Sequence, residues 1–289
     1  MILVTGATGT IGRHVVDVLS RTRPVRALVH DRQAPWEGAP VQVVRGDYAD
    51  PRTLAAAMDG VRAVLVVTND PLRPEHDAGL VTAAAAAGVR HLVKLSALAV
   101  TDPDADDLIT RWQREAEDRI RASGTAWTFL RPRAFMSNAL SWARSVRHEG
   151  VVRAPFADAP NATVDPRDVA HAAVRVLTEP GHEGRAYALT GPEPLTPLRQ
   201  TEILADVLGR PLRFVELSRE EHLRRLAARH PEPVAEALVR SAERQLAGAK
   251  GRPDDTLPRL LGRPARTYRR WAEDHADAFA PAAAEGEPQ

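Results

Sequence analysis

Short runs of apolar residues alternate with longer stretches of helical period along the first half of the chain. ILVTG (2–6), VRALVH (25–30), VQVVRG (41–46), AVLVVT (63–68), HLVKLS (91–96) and WTFLRP (127–132) are β-rich runs without a regular polar face, and they predict buried strands. Between them, 10–21, 51–59, 75–87 and 107–122 predict helices. Strands that alternate with helices predict an α/β fold: a parallel sheet covered on both faces and doubly wound by right-handed crossovers.

Beyond residue 150 the rhythm loosens. VDPRDVAHAAVRVLTEP (164–180) predicts a helix opening at Asp165 with Pro166 in its first turn, so Asp165 and Asp168 read as cap and first-turn residues. RAYALTG (185–191) fits one more strand, and 196–208, 218–229, 231–248 and 266–278 predict helices. The expected organisation is a sheet domain over 1–150, a smaller, mainly helical C-terminal lobe over 151–279 interleaved with the sheet, and a disordered tail, APAAAEGEPQ, over 280–289.

Composition narrows the chemistry. The 289 residues are 44% hydrophobic and carry a net charge of +1, which gives no electrostatic case for nucleic acid. Cysteine is absent, which excludes disulfides and thiolate chemistry. No apolar run approaches the roughly 20 residues of a membrane span, and residues 1–5 enter a strand directly, so a soluble cytoplasmic protein is expected. The histidines are scattered, so no metal site is expected. Lysine occurs only at Lys94 and Lys250, and tyrosine only at Tyr48, Tyr187 and Tyr268, so no Tyr-x-x-x-Lys pair exists.

The strongest motif is VTGATGTIGRHVV (4–16), where Gly6, Gly9 and Gly12 follow a strand at G-x-x-G-x-x-G spacing and a helix begins inside the motif. Such a loop turns tightly, lets backbone approach a pyrophosphate and packs helix closely on strand, with the helix N-terminus facing the phosphates. The second strand ends in Asp31 and Arg32, a mixed signal: a carboxylate grips a ribose 2′-hydroxyl, whereas arginine accommodates a 2′-phosphate. Arg13 adds a second cation. After the third strand, GDYAD (46–50) offers Asp47 to an adenine amino group, assisted by the backbone of Tyr48, or to the N-terminus of the next helix as its cap. Thr68 and Asn69, closing the fourth strand, complete the cofactor-binding set.

These stretches, with VRALVHD, VQVVRGDYAD, GVRHLVKLSAL, RASGTAWTFLRPRAFMSNAL, VDPRDVAHAAVRVLTEPGHEGRAYALTGPEPLT and DVLGRPLRFVELS, resemble the NmrA-like, atypical branch of the short-chain dehydrogenase/reductase superfamily over roughly residues 1–278. The resemblance implies a Rossmann-type fold and a nicotinamide cofactor, with Gly6, Thr8, Gly9, Thr10, Ile11 and Gly12 in the dinucleotide loop and Asp47 and Tyr48 at the adenine. His30 stands where relatives often carry arginine, while Arg32 compensates toward NADP, with NAD as the alternative. Ser96 falls at the superfamily's catalytic serine, and also suits a cap of the following segment. Thr110 and Arg114 fall where the catalytic tyrosine and lysine would stand.

Thr110 and Arg114 share a helix face. Arg114 suits a ribose but stays protonated and cannot relay a proton; the Thr110 hydroxyl is too short and too weakly acidic to replace a phenol. Trp112 belongs to an apolar stripe with Ile109, Ala116 and Ile120, and is either core or a substrate contact. After the sixth strand, Arg133, Phe135, Met136 and Asn138 lie where doubly wound folds bind ligands, with Asn138 the favoured polar contact and Phe135 and Met136 alternatively core.

The expectation is an NAD(P)H-dependent oxidoreductase that reduces a small conjugated carbonyl, quinone or enone, in the setting of secondary metabolism, taking its proton from water or Ser96. A small-molecule substrate is the expected partner, with no nucleic acid and no membrane, and the oligomeric state stays open. A non-catalytic dinucleotide-binding redox sensor, or an isomerase or cyclase using the same cleft, are the alternatives.

Overall fold

Each apolar run that predicts a strand in the first 132 residues forms one. The computed structural model describes residues 1–30, 34–36 and 40–281; Arg32, with Asp31 beside it, and residues 282–289 of the expected tail lie outside the described residues. In chain order the elements are β1 (Ile2–Val4), α1 (Thr10–Leu19), β2 (Val25–Val29), β3 (Val41–Arg45), α2 (Pro51–Met58), β4 (Ala63–Val66), α3 (Glu75–Ala86) and β5 (His91–Leu95). There follow α4 (Leu108–Ala122), β6 (Ala126–Pro132), α5 (Ala143–Glu149), β7 (Val151–Ala154), α6 (Pro166–Thr178) and β8 (Arg185–Leu189). The last are α7 (Pro197–Leu208), β9 (Arg213–Glu216), α8 (Arg219–Ala227), α9 (Glu232–Leu246), α10 (Thr256–Leu261) and α11 (Tyr268–Asp274). Short 3-10 turns occupy Leu98–Thr101, Met136–Trp142 and Ala276–Phe279.

The chain forms two compact units that interleave in sequence instead of dividing at residue 150. The first holds Met1–Arg133, Pro166–Thr190 and Asp254–Ala265. Its sheet has seven parallel strands in the order β3-β2-β1-β4-β5-β6-β8. β8 joins this unit because it pairs with β6 through Thr128–Pro132 and Arg185–Leu189. Strand order reverses between β1 and β4, and ligands of doubly wound folds bind beyond the carboxyl ends at such a point. α2, α3 and α4 cover one face through Leu54, Leu80 and Ile120, which pack with Leu3, Leu92 and Phe129. α1 and α6 pack against each other. One expectation is corrected: β3 is not buried but half-exposed, because as an edge strand it has a neighbour on one side only.

The second unit holds Ala134–Asp165, Gly191–Pro253 and, among the described residues, 266–281. It contains the four helices expected there, with the last ending as α11 and a 3-10 turn. It also contains a two-stranded parallel sheet of β7 and β9 that the sequence does not announce. Val146, Val152, Leu204, Tyr268, Trp271 and Phe279 form its core. No helix among the described residues is long and apolar enough to cross a membrane.

Inside the first unit a charged cluster links strand ends to helices. Lys94 Nζ on β5 lies 3.0 Å from Asp77 Oδ1 on α3, both side chains being buried. The ammonium also donates to Thr68 Oγ1 at 2.8 Å, Thr68 donates to Asp77 at 3.0 Å, and Trp112 Nε1 donates to Asp77 Oδ2 at 2.9 Å. Burial pushes the Lys94 ammonium below the ordinary lysine range, and Asp77 opposes the shift. Asp77→Ala would leave that ammonium without its counter-ion, and removing one partner of such a pair costs about 3–5 kcal/mol. Urea denaturation should therefore show a large loss for Asp77→Ala and recovery in Asp77→Leu/Lys94→Met. Equal midpoints for Asp77→Ala and the parent would contradict this account of the cluster.

Candidate functional site

The glycine loop is held by backbone geometry. Gly6 sits at φ +55, in the left-handed region. Its N–H donates to Tyr48 Oη at 2.9 Å, and Tyr48 in turn donates to Val67 O at 3.3 Å. Gly9 N closes the turn onto Gly6 O at 2.9 Å. A Cβ on Gly12 would fall 2.2 Å from Gly6 O, so α1 approaches the loop as only glycine permits. Thr5 ties the loop to the neighbouring strand by accepting from Val67 N at 2.8 Å.

Gly9 caps α1 without a side-chain hydrogen bond, and the first turn of the helix carries no acidic residue. The leading N–H groups of α1 therefore have no intrahelical partner and face an exposed loop, a cradle suited to a pyrophosphate. Gly9, Thr10 and Arg13 are exposed and Thr8 is half-buried, whereas Ile11 and Gly12 are buried, so Ile11 has only its backbone to offer a ligand.

The neighbouring strand ends divide into open and occupied groups. His30 is largely exposed, with Nε2 3.6 Å from Asp47 Oδ2. Asp47 accepts from Ala49 N at 2.9 Å, and the cap of α2 is Asp50, which accepts from Arg52 N at 2.9 Å. The alternative of Asp47 as helix cap is thereby corrected. Tyr48 acts through its hydroxyl, as an anchor beneath the loop, and its burial raises its pKa. Asn69 is exposed. The Thr68 hydroxyl joins the buried Asp77–Lys94 cluster, which leaves the residue its backbone to offer a cofactor.

The helix expected to hold the proton donor holds structural bonds instead. Thr110 is buried, with its hydroxyl donating to Asp107 Oδ2 at 2.8 Å, and Asp107 caps α4. Arg114 donates to the carbonyls of Val100 at 3.2 Å and Ala105 at 2.7 Å, and to that of Asp102. It clamps the 98–105 segment, which corrects the expectation that it holds a ribose. Ser96 is buried and donates to Glu117 Oε1 at 2.7 Å. Arg131 binds Glu117 through two nitrogens, Nε at 2.9 Å and Nη2 at 2.5 Å, and Arg121 adds a third contact at 2.9 Å. Glu117, which the sequence reading passed over, is thus the hub that occupies Ser96. Trp112 is core, packed at 5.3 Å under the Lys94 ammonium, and its substrate role is corrected. Arg133 is half-buried with Nε lacking a hydrogen-bond partner among the described residues, and burial lowers its pKa.

The second unit contains a cavity of about 830 Å³. Phe135, Met136 and Asn138 line it, and Met136 also belongs to the unit's core; Arg133, which the sequence groups with them, belongs to the first unit and does not line it. Its polar lining includes Asn161, whose Nδ2 donates to Gln245 Oε1 at 3.0 Å while its Oδ1 is buried without a partner among the described residues.

Replacing Tyr48 by Phe would strip the Gly6 N–H of its acceptor. A lost hydrogen bond costs about 0.5–1.5 kcal/mol at a half-buried donor such as this one, so Tyr48→Phe should unfold at lower urea; an unchanged midpoint would show that the loop does not depend on this bond.

Comparison with known proteins supplies the context for these features. The NmrA-like family profile matches residues 1–254. The chain is 56% identical over 282 residues to the (4-alkanoyl-5-oxo-2,5-dihydrofuran-3-yl)methyl phosphate reductase of Streptomyces griseus, covering 97% of this chain and 100% of that protein. It is 40% identical to the NAD(P)H azoreductase of Xenophilus azovorans, covering 96% and 99%. The crystal structure of the Escherichia coli NADPH-dependent quinone oxidoreductase QOR2 complexed with NADPH superposes with a TM-score of 0.83 at 27% identity, covering 95% and 99%. On this evidence of sequence and fold, the chain belongs to the NmrA-like family.

Proposed function

We propose that this protein is an NAD(P)H-dependent reductase that saturates the polarised double bond of a small conjugated carbonyl compound. The observation that carries the reading is that Thr110 and Arg114 on α4 and Ser96 just past β5 are all engaged in structural hydrogen bonds, so none of the three stands ready to protonate a simple ketone. The glycine loop, with its uncapped helix N-terminus, suits a nicotinamide dinucleotide. When bound there, the reduced cofactor supplies a hydride. Reductases of azo, quinone and alkanoyl-oxodihydrofuran substrates among the relatives support a conjugated acceptor.

The acceptor chemistry makes the missing acid tolerable. Hydride enters at the carbon β to the carbonyl, the π electron pair moves to the carbonyl oxygen, and the enolate takes a proton from water. Where two carbonyls flank the α carbon, as in an acylated oxodihydrofuran, the charge spreads over both oxygens and needs no phenol. Asn138, whose residue lines the cavity, is the chain's candidate to donate an amide N–H to that oxygen. Arg13, exposed after the loop, favours the 2′-phosphorylated cofactor.

Gly9→Val places a branched side chain on the exposed cap where a pyrophosphate would approach, yet among the described residues beyond its chain neighbours a Cβ there would come close to Gly6 O alone, at 3.2 Å. Calorimetric titration should show cofactor binding lost and the melting curve preserved; wild-type affinity in the variant would refute the loop's role. Following absorbance of the reduced cofactor, the protein should turn over acyl butenolides and quinones and leave saturated ketones untouched. Asn138→Ala should slow turnover about 10²–10³-fold if its amide meets the enolate in a dry site. Reduction of saturated ketones at comparable rates would overturn the assignment.

A further inference from the structure

We infer that the cavity of the second unit is built for an amphiphilic anion: a phosphate monoester held by Arg153, Arg225 and Arg229, joined to an acyl chain that lies on an apolar wall. This names the substrate class of the reductase proposed above and rests on that reading. The cavity of about 830 Å³ is lined by the fixed cations Arg153, Arg225, Arg229 and Lys250 and by no aspartate or glutamate among the described residues. That is unusual here, because acidic residues, 38 in number, nearly match the 39 basic ones over the whole chain.

The cations are concentrated where a second cleft, of about 500 Å³, adjoins the first. Ser141, Ser145, Arg153, Arg225 and Arg229 line both spaces. The smaller cleft adds Arg144 and His148 and a single carboxylate, Glu149, which Arg153 engages at 2.5 Å. Arg153 and its neighbour Arg225 hold the Glu149 carboxyl below the usual carboxylate range. Neither Arg225 nor Arg229 has a side-chain hydrogen bond or ion pair with a described residue, whereas Lys250 is committed to Ser241 Oγ at 2.7 Å. Two guanidiniums four residues apart repel each other, at the end of α8 and just past it. A ligand dianion between them relieves that repulsion, and guanidinium matches phosphate geometry in two-pronged fashion. Ser141 offers a hydroxyl donor to a remaining phosphate oxygen, whereas Ser145 Oγ already donates to Trp142 O at 3.1 Å.

The lining also includes an apolar set: Phe135, Trp142, Leu195, Leu217, Leu226 and Leu238. A bare phosphate would leave this surface wet, and a neutral acyl compound would leave the arginines without a counter-ion. One ligand that satisfies both carries an alkyl or acyl chain of several carbons and a phosphate ester at the other end.

The test uses the intact protein and octyl phosphate, with octanol, inorganic phosphate and octyltrimethylammonium as comparison probes, titrated calorimetrically without cofactor. Octyl phosphate should bind saturably and more tightly than the other three. Arg225→Gln/Arg229→Gln should weaken it about 10- to 100-fold, the size of lost charge-assisted hydrogen bonds, and Arg225→Lys/Arg229→Lys should recover part of the loss. Both positions are exposed, and circular dichroism melts verify the fold of each variant. Equal binding of octyl phosphate to parent and glutamine variant, or equal binding of octanol and octyl phosphate, would overturn the anion site. Inorganic phosphate binding as tightly as octyl phosphate would overturn the apolar half. In turnover, kcat/KM for a phosphorylated acyl butenolide over that for its free alcohol should exceed one and fall in the glutamine variant. Active protein without that preference sinks this inference alone, whereas protein that reduces no conjugated acceptor sinks the reductase reading and leaves the binding result to stand.

Discussion

The approach of two stretches of backbone governs the first unit. Gly12 of α1 lies so near Gly6 that a single methyl group would collide with the Gly6 carbonyl at 2.2 Å. That contact fixes where α1 begins relative to β1, and hence where its unpaired N–H groups point. Tyr48 secures the loop from below, binding the Gly6 N–H and the Val67 carbonyl with one hydroxyl and so joining the loop to the strand across the point where strand order reverses. The loop is held by the protein's own contacts, and a cradle so pre-organised lowers the ordering cost of binding.

Two groups of polar side chains near the ends of β4, β5 and β6 satisfy one another. Asp77, Lys94, Thr68 and Trp112 form one closed network, and Glu117, Arg131, Arg121 and Ser96 form another. Such networks make positions rigid because any member left unpaired in low dielectric is costly. The second network also occupies the Ser96 hydroxyl, as Asp107 occupies that of Thr110. A protein arranged this way gains most from acceptors whose reduced form is already a stabilised anion, and conjugated carbonyls meet that condition.

Much of the first unit was legible in the sequence because its strands are continuous apolar runs and its helices carry clear stripes. The three glycines announced the loop for the same reason: their spacing encodes a steric demand. The misplaced residues share a different cause. Thr110 and Arg114 lie at positions that a family pattern marks, Thr68 at a strand end and Trp112 on an apolar stripe, but their partners, Asp77, Asp107 and the carbonyls of residues 100–105, are set by three-dimensional packing. Tyr48 was placed by its backbone, whereas its hydroxyl proved decisive, and nothing local to GDYAD shows what that hydroxyl meets. β7 and β9 are four-residue parallel strands 59 or more residues apart, too short for a period to register. The arginines of the second cavity were invisible for another reason: in an arginine-rich chain, a cation becomes informative only when its surroundings lack carboxylates.

The most direct test of conjugate reduction follows the hydride itself. With reduced cofactor deuterated at nicotinamide C4 and an acyl butenolide as acceptor, product analysis by NMR locates the label. The account predicts deuterium on the ring carbon β to both carbonyls, with the α hydrogen drawn from water. Deuterium on a carbinol carbon of the acyl side chain would contradict it, and would mean that the protein finds a proton donor for direct carbonyl reduction.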